Sequence, residues 1–167
     1  MSKKLSLFLI VLAVLAYFAP RDGYAQNEPI VREDEYGRTR VYEGEQQIYK
    51  FRREEAKRIK AVADEFVEAL MKKDADTIVK MSYYQGFASE RRERAEAFIY
   101  KYHDGDEIEV QDIDIKSIKT DDQVETARVL ALVATVLKSK NKEVEQAPSL
   151  EKWVFVYRRG KWRFVLE

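Results

Sequence analysis

The longest regular pattern in the chain runs from Phe51 to Leu70. Ile59, Val62, Ala63, Phe66, Val67 and Leu70 recur at helical spacing with Arg, Lys and Glu between them. They predict one long amphipathic helix from Gln46 or Phe51 to Lys72. Glu54 and Arg58 stand four apart in the order that supports a helix, and Lys72 and Lys73 suit its C-terminal end. Asp74-Ala75-Asp76 interrupts the pattern, and either aspartate can cap a short second helix ending at Met81 or Tyr84. After Gly86, Ser89 is placed to cap a third helix, Glu90 to about Tyr102, with Ala95, Phe98, Ile99 and Tyr102 on its apolar side.

Beyond Glu107 the period falls to two. Ile108 and Val110 alternate, then Ile113 and Ile115 continue on the other parity, as they would across a β-bulge with Gln111 or Asp112 as the extra residue. A turn at Lys119-Thr120-Asp121-Asp122 leads to a long strand from Val124 to Lys138. Between Val129 and Leu137 that strand is apolar on both parities, so both of its faces should be covered. A polar loop from Ser139 to Ser149 precedes the last two strands. If Arg159-Gly160 is their tight turn, Tyr157 faces Trp162, Phe155 faces Phe164 and Trp153 faces Leu166, which gathers six large side chains on one face. The result is an α+β layout, three N-terminal helices packed in a curved, mostly antiparallel four-stranded sheet.

The N-terminus has a different character. Lys3 and Lys4, an uncharged run from Leu5 to Ala19, and Gly23 and Ala25 before Gln26 form the three parts of a secretory signal peptide over residues 1–25. The apolar run is shorter than a comfortable membrane span, so an uncleaved inner-membrane anchor at residues 5–19 is the alternative. Residues 26–50 are polar and read as a linker or a small hairpin, with Ile30–Asp34 and Thr39–Glu43 flanking a turn at Gly37. A domain from 51 to 167 follows.

Composition narrows the function classes. The 167 residues carry 30 basic and 30 acidic side chains, one His and no Cys. Removal of residues 1–25 takes away Lys3, Lys4, Arg21 and Asp22, so a mature chain of 142 residues is slightly acidic at −2. That balance offers no footprint for nucleic acid. Without Cys there is no disulfide framework, lipid attachment, thiolate metal site or thiol nucleophile.

Two stretches resemble the NTF2-like superfamily, the cone-shaped fold of ketosteroid isomerase, scytalone dehydratase and many binding domains, including SnoaL-like ones. The first is Val62-Ala63-Asp64-Glu65-Phe66-Val67-Glu68-Ala69-Leu70 with Lys73-Asp74-Ala75-Asp76 behind it. The second is the ending Trp153 to Phe164, with its Gly160-Lys161-Trp162 turn. The resemblance covers Phe51 to Glu167. It implies a pocket between the helices and the concave face of the sheet, and a homodimer through the sheet's outer face. The fold hosts enzymes and inert modules alike, so it does not choose between them.

Candidate chemistry is sparse. His103 beside Asp104 and Asp106 could serve as a base with its orienter, but a His just past a helix end is also favoured there by the helix dipole. Asp112 and Asp114 fall opposite the isoleucines, towards solvent. Asp74, Asp76, Asp104 and Asp106 lack the spacing of a calcium loop and read as caps and turn acids, and no metal or cofactor is expected. Tyr83, Tyr84, Phe87, Tyr100 and Tyr102 crowd the second and third helices. Tyr84, Phe87, Trp153 and Tyr157 are the expected wall of a pocket for a small apolar molecule. Arg91-Arg92-Glu93-Arg94 reads as a solvated face. The leading expectation is an exported, periplasmic or secreted, non-catalytic module that binds a small apolar ligand or an envelope protein. The alternative is a cone-pocket isomerase, dehydratase or hydrolase working by general acid–base chemistry.

Overall fold

A computed structural model describes residues 28–104, 107–139 and 142–166. The signal-peptide segment lies outside them, as does most of the 26–28 stretch that would follow its cleavage. No described helix is long and apolar enough to cross a membrane.

The chain opens with a hairpin, β1 (Ile30–Glu33) against β2 (Thr39–Tyr42). Its turn is held by Asp34, whose Oδ1 accepts the amides of Tyr36 and Arg38, both at 2.9 Å. Of the two readings of residues 26–50, the described residues from 28 on form the small hairpin, and it is docked. Ile30 is buried, Tyr42 stacks on Phe51 with ring centroids 4.2 Å apart, and the Tyr157 hydroxyl donates to the Glu33 carbonyl at 3.3 Å.

Helix α1 (Glu45–Met71) then crosses the molecule and buries Ile48, Phe51, Glu55, Ile59, Ala63, Phe66 and Leu70 along one stripe. Arg58 pairs with Glu55 at 2.8 Å, three residues away, instead of with Glu54. At the C-terminal end Lys73 takes a left-handed conformation (φ 57°) and the amides of Lys73 and Asp74 return to Leu70 and Ala69. Asp74 caps α2 (Ala75–Met81) by accepting the Thr77 amide at 3.0 Å. Helix α3 (Glu90–Tyr102) buries Ala95, Ile99 and Tyr102, but Ser89 makes no side-chain capping bond because its own backbone is already helical.

The sheet has six strands rather than four, in the order β3 (Ser82–Tyr83), β8 (Lys161–Val165), β7 (Ser149–Arg158), β5 (Thr126–Ser139), β4 (Ile108–Thr120), with β6 (Lys142–Glu145) also paired to β5. The two extra strands were hidden by their brevity. β3 runs parallel to β8 for two residue pairs, and β6 forms in the polar 139–149 segment, where backbone pairing needs no apolar pattern. Register slips on β4 between Val110 and Asp112, making Gln111 the bulged residue, and slips again between Ile115 and Ser117. The second slip returns Ile118 to the side of Ile113 and Ile115. β5 begins two residues later than Val124, which sits fully buried in the preceding turn at φ 58°. The closing hairpin has the expected register, Phe155 opposite Phe164 and Tyr157 opposite Trp162, around a turn in which Arg159 and Gly160 both have positive φ. Three helices and the hairpin lie on the inner face of this sheet. Leu130, Leu132 and Ala134 on the outer face of β5 are half-buried with no described element over them.

Candidate functional site

The centre of the space between the helices and the sheet is filled by side chains. Phe66, fully buried on α1, stands 4.2 Å from Phe164, 5.1 Å from Trp153, 5.6 Å from Phe98 and 6.0 Å from Phe155, centroid to centroid. Its neighbours meet it edge-on or tilted, as close-packed rings do. What remains open lies at the rim. A cleft of ≈ 760 Å³ runs between α1, α2 and β8 over Val62, Met81 and Trp162. Smaller clefts of ≈ 320 Å³ and ≈ 360 Å³ open beside α3 and beneath the β1–β2 hairpin.

The four expected wall residues do not converge. Phe87 is 76% exposed. Tyr84 donates its hydroxyl to Glu90 at 2.8 Å within the α2–α3 connection and lines none of these clefts. Trp153 and Tyr157 share the inner face of β7 but stand four residues, about 13 Å, apart. Trp153 is buried beside α3, with its indole N–H donating to the Tyr102 hydroxyl at 3.3 Å, whereas Tyr157 lies under the hairpin and on the wall of the ≈ 760 Å³ cleft. Of the crowd on the second and third helices, Tyr100 is also exposed, so these aromatics form no common lining.

His103 is the C-cap of α3 and is buried. Its Nε2 lies 3.0 Å from the Leu70 carbonyl, which can only accept, so Nε2 carries a proton and joins the ends of α1 and α3. Nδ1 is buried without a hydrogen-bond partner among the described residues. Burial holds the imidazole below the usual histidine range, against the hydrogen bond to Leu70 and with help from Lys73. Neutral, with Nε2 committed to a backbone carbonyl, it serves as a staple.

Two polar clusters had no forecast. In the first, Glu151 on β7 accepts from Lys101 Nζ at 2.7 Å and from the Tyr102 hydroxyl at 3.1 Å. Burial pushes its carboxyl up, but these partners outweigh burial and hold it below the ordinary carboxylate range. In the second, Glu55 lies 1% exposed in the apolar stripe of α1. Its Oε2 accepts the Trp162 indole N–H at 2.7 Å and faces Arg32 Nη2 at 3.5 Å, while Oε1 takes Arg58. A signal for it existed in the chain. Ile48, Phe51, Glu55, Ile59 is an unbroken three-and-four spacing with one acid inside it, and Arg32 shares the parity of Ile30 on β1.

Glu55 and His103, both buried, are far apart. Glu55 and the Leu70 carbonyl that holds His103 are 15 residues from each other along α1, about 22 Å at the rise of a helix. They cannot act on one substrate atom. The acids of β4, Asp112 and Asp114, are exposed on the outer face, as their parity requires. Asp74 is spent as a cap, and Asp76 pairs with Arg92 at 2.6 Å.

No protein-family model and no curated protein matches the chain. Among solved structures it is similar to Rv3472, a protein of unknown function from Mycobacterium tuberculosis. The match covers 71% of this chain and 74% of that one at 14% identity, with a TM-score of 0.46. A likeness of that degree carries neither fold nor function across.

Proposed function

We propose that the protein is an exported, non-catalytic domain of the NTF2-like type whose task is to bind another protein in the cell envelope, a second copy of itself first of all. The observation that carries this reading is the filled interior. With Phe66 packed among four rings, the place where a cone of this type would hold a small apolar molecule is occupied by the chain's own side chains. Binding then falls to the surface, and the outer face of the sheet offers the apolar strip. Leu130 and Leu132 on β5 adjoin the exposed Leu150 and the half-buried Val154 on β7. Asp112 and Asp114 flank the strip on one side and Arg163 on the other, with Lys152 inside it opposite Leu130, so that a copy turned by a half rotation can set acid against base. Export rests on the leader pattern of residues 1–25. The acid–base alternative is disfavoured by the distance between Glu55 and His103.

Light scattering on the mature chain over a range of concentrations tests the reading. A dimer that Leu132→Glu converts to a folded monomer is expected, whereas a concentration-independent monomer overturns self-association through the sheet.

A further inference from the structure

Among the described residues, Arg32 is the one guanidinium that the fold buries. It is 6% exposed, it arrives on a two-stranded hairpin, and it enters a space enclosed by three rings and a carboxylate. Its Cζ lies 3.5 Å from the centre of the Tyr157 ring and 5.5 Å from the centres of Phe51 and Trp162. Nη2 donates to the Val124 carbonyl at 2.6 Å and faces Glu55. Nε and Nη1 are buried without a partner among the described residues. A buried ion pair is seldom better for stability than apolar side chains of the same volume, and idle buried donors make it worse. The surroundings are suited to a cation beyond what closing a core requires.

Those surroundings belong to the main domain, although Phe51 also stacks on Tyr42 and the Tyr157 hydroxyl reaches Glu33 of the hairpin. Glu55 is held by Trp162 at 2.7 Å and Arg58 at 2.8 Å whether or not Arg32 is present. Val124 is a β-branched residue in the left-handed region, an uncommon conformation that aims its carbonyl at the guanidinium. The hairpin, by contrast, pairs only with itself and leaves Val31 and Val41 exposed. A ribbon of two strands is marginal alone, so it can lift. The ≈ 360 Å³ cleft beneath it already reaches Arg32, Glu55 and Tyr157.

We infer that Phe51, Glu55, Tyr157, Trp162 and the Val124 carbonyl form a binding site for an alkylguanidinium group, which Arg32 occupies in cis and which a free ligand enters when the hairpin lifts. The flat, delocalised cation stacks on Tyr157 while its in-plane N–H groups reach the carboxylate and the carbonyl, a fit that a compact ammonium does not reproduce. This site is separate from the sheet face assigned to partner binding and does not depend on it.

Ethylguanidinium is the probe. In Arg32→Ala it raises the melting temperature saturably at millimolar concentration, and ethylammonium at equal concentration does not. Wild-type protein needs a higher concentration, because the tethered Arg32 competes for the same site. Arg32→Ala combined with Glu55→Gln loses the response. An Arg32→Ala protein that responds no better than wild type, or a double variant that responds as well as the single one, overturns the site. Should Arg32→Ala not fold, hydrogen exchange of the wild-type protein decides. Faster exchange of the β1 and β2 amides in ethylguanidinium than in ethylammonium upholds the site, and equal rates overturn it.

Discussion

Glu55 is a residue whose loss the interior should tolerate poorly. It is buried, it neutralises Arg32 and it accepts the Trp162 indole N–H. Glu55→Ala leaves a buried guanidinium without its counter-charge, a change that costs about 3–5 kcal/mol in unfolding free energy. Urea denaturation measures it. His103 gives the fold a pH dependence of definite sign. Because burial lowers its pKa in the folded state, the unfolded chain takes up a proton first as the pH falls. The contribution of His103 is therefore complete above the unfolded value of ~6.5 and is lost progressively below it. Wild-type protein should lose more stability between pH 7 and pH 5 than His103→Gln, whose amide can still donate to Leu70. Lys73 is strained in the other direction. Held at φ 57° beyond the end of α1, it should be improved by Lys73→Gly, which gains about 0.5–1 kcal/mol and a higher melting temperature.

The elements divide by how their stability is written into the chain. α1 and the β7–β8 hairpin were legible because each buries a continuous apolar stripe whose period is its own signature, and the register of the closing pair followed from Arg159-Gly160 alone. The first bulge on β4 was legible as a slip of apolar phase at Gln111 or Asp112, and the register places it at Gln111. The second was missed because only Ile118 lies beyond it to report the change. β6 and the two-residue β3 carry too few side chains for any period, and they exist because a neighbouring strand offers its backbone. The docking of the first hairpin was invisible for another reason. Its anchor is a charged residue, and pattern reading assigns Arg32 to water. Gly160 shows how tightly that anchor seats. A Cβ on Gly160 would come within 2.4 Å of the Glu35 Cα, in the turn of the hairpin. Gly160→Ala should therefore displace the hairpin tip and speed amide exchange over residues 30–42, while amides of β5 and β7 stay slow. At the centre, Phe66→Ala removes the ring that four others touch and should cost about 3–5 kcal/mol.

For the molecule as a whole, the site legible in the sequence was the aromatic inventory, and its use was not. Period and composition count rings but do not say whether they enclose a space or fill it. Trp153 and Tyr157 were correctly read as facing inward, yet Phe66 closes the interior between helix and sheet. The stability of such a body should be graded, with exchange protection highest in β5 and β7, which are paired on both sides, and lowest in the self-paired hairpin. β4 is the open margin of the sheet, and its two irregularities now acquire a second meaning. A margin that breaks step at Gln111 and again at Lys116, and that carries Asp112, Asp114 and Lys116, presents no straight row of amides to a newcomer. Chains that crowd together at high concentration can meet face to face but cannot add strand to strand, so replacing Asp114 and Lys116 by Val should leave the fold standing and turn a clear solution into one that seeds fibrils.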